Sequence, residues 1–69
     1  MEDEMSIGDC IRMKRLEAGY TQSALAEKVG IGQSMIAQIE RGDKIPSMLF
    51  GKAIAQALEC SILDLYGDE

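Results

Sequence analysis

A chain of 69 residues is one small domain with little core to spare, in a size class that depends on close helix packing or on a partner subunit. Hydrophobic residues make up 46% of it, yet no apolar run approaches the roughly 18 consecutive residues a membrane helix needs, and nothing resembles a signal peptide. The net charge of −5 argues against a uniformly basic nucleic-acid binder.

The charge is unevenly spread. Residues 1–9 hold Glu2, Asp3, Glu4 and Asp9, and residues 59–69 hold Glu59, Asp64, Asp68 and Glu69, with no lysine or arginine in either segment. Residues 10–58 therefore carry all seven basic residues against Glu17, Glu27, Glu40 and Asp43, a surplus of three. Local potential matters more for a phosphate contact than the total does.

Residues 1–5 have no apolar period and are expected to form a flexible acidic start. Ser6 and Asp9 stand at capping-box spacing, so a first helix is predicted from about Ile7 to Ala18. Its inner stripe reads Ile7, Ile11, Arg15 and Ala18, which places an arginine where a leucine would serve. Gly19 and Tyr20 close it, and Thr21 caps a second helix whose Leu25, Ala26 and Val29 keep one face apolar.

Gly30 stops that helix, because glycine tolerates the left-handed backbone a helix end needs. After the turn Gly30-Ile31-Gly32 a third helix is predicted from Gln33 to Arg41, ended by Gly42. Ile36, Ile39 and Glu40 share its inner face, while Ser34, Ala37, Gln38 and Arg41 fall on the other. Gln33, Ser34 and Gln38 both donate and accept hydrogen bonds, and Arg41 reaches a phosphate or a guanine. Arg15 and Glu40 are thus two charges on buried faces, and isolated buried charge is too costly to keep, so the two are expected to meet.

Pro46 forbids helix at Ile45, so 43–46 reads as a loop. Ser47 caps a fourth helix, roughly Met48–Leu58, with Ile54, Ala55 and Leu58 inward and Gly51 in its interior at a cost of about 1 kcal/mol relative to alanine. Ser61 and Asp64 repeat the capping spacing and start a short fifth helix, Ile62–Tyr66. Residues 67–69 form an acidic end. Cys10 and Cys60 have no CxxC partner and no histidine beside them, which argues for reduced thiols in a cytoplasmic protein and against a metal site. No nucleophile motif or phosphate loop appears, so neither an enzyme nor a cofactor or small-molecule substrate is expected.

The run TQSALAEKVGIGQSMIAQIERG, with Gln22, Ala26, Gly30, Ile36, Glu40 and Gly42 in place, strongly resembles the helix-turn-helix domain of phage Cro proteins and phage repressors, the XRE-type family. The likeness extends, more weakly, over residues 6–66. It implies an all-α, compact five-helix, lambda-repressor-like domain that binds double-stranded DNA and regulates transcription, as a bacterial or phage-encoded repressor. In that family the small residue matching Ala26 lets two helices approach, and the residues matching Arg15 and Glu40 form a structural ion pair. The position matching Gly51 is more often bulky and apolar. The resemblance also implies that helix 33–41 lies in the major groove with Gln33, Ser34, Ala37 and Gln38 at base edges. Gln22, Arg41 and Lys44 would hold the DNA backbone, Gln22 also buttressing Gln33.

The family commonly dimerises through the region after the recognition helix, so a homodimer on a palindromic operator is implied, formed in solution or only on DNA. Leu63, Leu65 and Tyr66 are the apolar candidates for that contact, with closure of the core as their other reading. The alternative function is an antitoxin-like or adaptor module on the same fold, whose acidic surface binds a protein.

Overall fold

The computed structural model describes residues 6–66. Five helices follow one another: α1 (Ile7–Glu17), α2 (Gln22–Val29), α3 (Gln33–Arg41), α4 (Met48–Ala57) and α5 (Ile62–Tyr66). The segments 1–5 and 67–69, expected as acidic ends, lie outside the described residues.

Short-range side-chain chemistry sets most helix starts. Ser6 and Asp9 form a reciprocal capping box at α1, each bonding the other's backbone N–H at 3.2 Å. Thr21 Oγ1 accepts from the Ala24 N–H at 2.9 Å, and Ser47 Oγ accepts from the Phe50 N–H at 3.2 Å. Ser61 and Asp64 repeat the box at α5. Each such cap typically contributes about 1 kcal/mol by satisfying an N–H the helix cannot. Gly30 ends α2 at a φ of 91°, a left-handed conformation that a side chain would strain.

The core draws on every helix. Ile11, Leu25, Ile36, Ile39, Ile54 and Leu65 are fully buried, with Ala26, Ala55 and Leu58 completing the cluster. Burying each large side chain contributes about 1.5–3 kcal/mol. The helix-turn-helix pair α2 and α3 packs against α1 and α4, and α5 closes the far side against α1 and α4.

One expectation about inward faces needs correction, and one open choice is decided. Ala18 was placed on the inner stripe of α1, but the helix ends at Glu17 and Ala18, its C-cap, is exposed. The buried residues of α1 are Gly8, Ile11 and Arg15. On α5, Leu65 is core and Leu63 is 67% exposed, so Leu65 is not available to a partner. The Tyr66 side chain lies outside the described residues. Gly51 is buried within α4, and that helix starts at Met48 directly after its Ser47 cap. Cys10 and Cys60 are free thiols, both half-buried. Among the described residues, no helix is long and apolar enough to cross a membrane.

Candidate nucleic-acid interface

The inward side of α3 dictates what its outward side presents. With Ile36, Ile39 and Glu40 buried, the 3.6-residue period turns Gln33 and Ser34 to solvent and leaves Ala37 and Gln38 half-buried at the edges of the same surface. All four residues expected at base edges are brought to one face. The helix opens at Gly32 without a side-chain cap hydrogen bond among the described residues.

Behind that face Glu40 gathers three helices. Arg15 of α1 donates from Nε to Glu40 Oε2 at 2.7 Å and from Nη2 to Oε1 at 3.1 Å. Its remaining nitrogen, Nη1, donates to the Tyr20 carbonyl oxygen at 2.8 Å. Gln22 of α2 adds Nε2 to Glu40 Oε1 at 3.1 Å. Bidentate arginine–carboxylate pairs are strong and directional, so the arrangement fixes the rotation of α3 about its axis as well as its position. A buried pair of this kind is a weak source of net stability and a strong penalty once broken.

Gln22 was expected to buttress Gln33. Among the hydrogen bonds of the described residues none joins these two, and the Gln22 amide is directed to Glu40. A carboxylate is the stronger acceptor and takes the donor. Arg41 and Lys44 are both exposed beyond the end of α3. Arg41 is held by Asp43 through Nε at 3.0 Å and Nη2 at 2.9 Å, with both side chains more than half exposed. Such a surface pair is worth about 0–1 kcal/mol.

Sequence reasoning missed Gly8. A Cβ built there would fall against the Ile39 carbonyl oxygen and 2.8 Å from that of Glu40. The absent side chain lets α1 lie directly on the last turn of α3, which brings Arg15 to Glu40. A signal was present: Gly8 stands three residues before Ile11 and seven before Arg15, on the same helical face.

Comparison with known proteins places this geometry. A helix-turn-helix family profile matches residues 11–65. YgzD of Bacillus subtilis, an uncharacterised HTH-type transcriptional regulator, is 37% identical over 57 residues, covering 80% of this chain and 86% of that protein. Among solved structures, the P22 c2 repressor in complex with a synthetic operator is similar with a TM-score of 0.89 at 30% identity, covering 96% of this chain and 100% of the other. SinR, a master regulator for biofilm formation, in complex with DNA gives a TM-score of 0.82 at 38% identity, covering 86% and 95%.

Proposed function

The chain belongs to the helix-turn-helix family, and from that premise we propose that it is a sequence-specific double-stranded-DNA-binding transcriptional regulator, acting as a repressor. The observation that carries this reading is the outward face of α3. Its polar residues are presented together while Ile36, Ile39 and the Arg15–Glu40–Gln22 cluster hold the helix rigid from behind. A major groove admits a helix of this diameter, and a fixed rotation decides which side chains meet base edges.

In this reading Gln33, Ser34, Ala37 and Gln38 face the base edges, glutamine pairing with adenine and the Ala37 methyl suiting thymine. Gln22, Arg41 and Lys44 hold phosphates and set register. The protein acts in the cytoplasm, has no catalytic role, and binds a palindromic operator as a homodimer. With Leu65 spent on the core, Leu63 is an exposed apolar residue of α5 available for such a contact.

Selection of bound duplexes from a random DNA pool, followed by gel retardation at low and moderate salt, tests the proposal. A reproducible palindromic consensus, retained better than scrambled DNA at both salts, is the expected result. Failure to retain any duplex would sink the reading and favour the adaptor alternative, to which the net charge of −5 is better suited.

A further inference from the structure

A cleft between α1 and α3 contains a basic residue that the contact surface described so far leaves out. Asp9 and Arg12 of α1, Gln22 of α2, and Ala37, Glu40 and Arg41 of α3 line one open cleft of about 440 Å³. Gln22, Ala37 and Arg41 already belong to the proposed DNA face. Arg12 is exposed on α1, one residue beyond the fully buried Ile11, and reaches the same opening from the opposite wall.

We propose that Arg12 holds a DNA backbone phosphate in this cleft, so that the protein grips its operator with α1 as well as with the helix-turn-helix pair. The inference rests on the reading of α3 as the DNA-contacting helix. Three features of the cleft favour a phosphate. The carboxylate of Glu40 at its base takes hydrogen bonds from Arg15 Nε, Arg15 Nη2 and Gln22 Nε2 and its side chain is 4% exposed, so it repels an incoming anion weakly. Asp9 directs Oδ2 to the Ser6 N–H at the start of α1. With Arg15 behind Glu40 and Asp43 beside Arg41, three positive charges face three negative, and all three carboxylates already accept hydrogen bonds.

The shape agrees with the charge. Ala37 is the smallest side chain on the α3 wall and leaves room beside Arg12. Small-molecule pockets mostly enclose their ligand, whereas this cleft is open, with a wall about equally polar and apolar. A guanidinium fork matches two phosphate oxygens and is weakly hydrated for a cation. A strand whose phosphates touch Gln22 and Arg41 runs along the cleft they share with Arg12.

The test compares the parent, Arg12→Gln and Arg12→Lys on the operator duplex recovered by selection and on a scrambled duplex, across a salt series. For Arg12→Gln the slope of log affinity against log salt should become shallower by about 0.9, the value of one phosphate, with about a five- to tenfold loss near 0.1 M salt on both duplexes alike. Arg12→Lys should recover most of the slope. Thermal unfolding should be unchanged in both variants, since the side chain is exposed. An Arg12→Gln slope and affinity equal to the parent's would overturn the proposal while leaving DNA binding intact, as would a loss confined to the operator. A parent that retains neither duplex overturns the DNA reading itself and this contact with it.

Discussion

Arg15 and Glu40 are separated by 25 residues in the chain and by 2.7 Å in the fold. The contact joins the C-terminal turn of the first helix to that of the third, and Gln22 completes it from the second. One buried carboxylate thus positions the helix proposed to read DNA relative to the helix proposed to rest on its backbone. The proposed reading of DNA therefore leans on an interaction whose own net contribution to stability is small.

Removing one partner should expose that dependence. Glu40→Ala leaves the Arg15 guanidinium buried with only the Tyr20 carbonyl as acceptor, and should destabilise the fold by about 3–5 kcal/mol. That is a large share of the 5–15 kcal/mol typical of a domain. Thermal unfolding checks it; a melting curve like the parent's would contradict the buried geometry.

Gly8→Ala has an unusual sign. In an ordinary helix interior alanine is favoured over glycine by about 1 kcal/mol. Here the new methyl would meet the Ile39 and Glu40 carbonyls, backbone atoms that cannot rotate away, so the helices must separate at a cost of about 1–3 kcal/mol. A lower urea midpoint is the expected outcome, and a higher one would show that α1 and α3 are less closely apposed.

Gln33→Ala and Gln38→Ala should each cost about 1–3 kcal/mol on the selected operator with the fold intact. Equal losses on selected and scrambled DNA would contradict base reading. Gln22→Ala should weaken all sequences alike, and because it removes a donor from Glu40 it should also lower the melting temperature slightly.

The Cys60 thiol has its pKa raised, first by burial and then by the nearby Asp64 carboxylate, with Lys14 partly offsetting both. A raised value in the folded chain keeps the thiol protonated there after the unfolded chain has begun to ionise. Stability from this source is therefore full below the unfolded thiol's pKa and is lost as pH rises towards the folded one. Alkylation of Cys60, followed by peptide mass at mildly alkaline pH, should accelerate on adding urea; an equal rate in native and unfolded protein would count against the shift.

What could be read from the sequence divides along physical lines. Caps at Ser6, Thr21, Ser47 and Ser61, and the left-handed end at Gly30, depend on residues within a turn of each other, so spacing alone announces them. The inward rotation of α3 was legible because Ile36, Ile39 and Glu40 obey the helical period. Gly8 was legible only as a member of the inner face of α1, since its meaning lies in a close approach by carbonyls some 30 residues away. Glu59, which adopts a φ of 58° at a position where glycine is the usual choice, was not legible, nor was the Arg41–Asp43 pair, which restrains a residue assigned to phosphate. Leu63 and Leu65 look equivalent by composition, and only the docking of α5 on α1 and α4 separates an exposed side chain from a core one.

The operator geometry supplies the final prediction. One helix of nine residues reads only a few base pairs, and a surplus of three positive charges over residues 10–58 gives modest phosphate affinity, so one copy should bind weakly at moderate salt. Two copies on a two-fold operator would place half-site centres about 34 Å apart, one turn of duplex. Inserting about five base pairs between the half-sites rotates one to the opposite face of the DNA while leaving both intact. If the copies touch each other, affinity should then fall towards that of an isolated half-site, and Leu63→Ser should remove much of the same advantage on the uninterrupted operator. A monomeric sedimentation profile without DNA is compatible with this scheme, because the operator itself brings the two copies together. Unchanged affinity after the insertion would rule out cooperative pairing and leave two independent binding events.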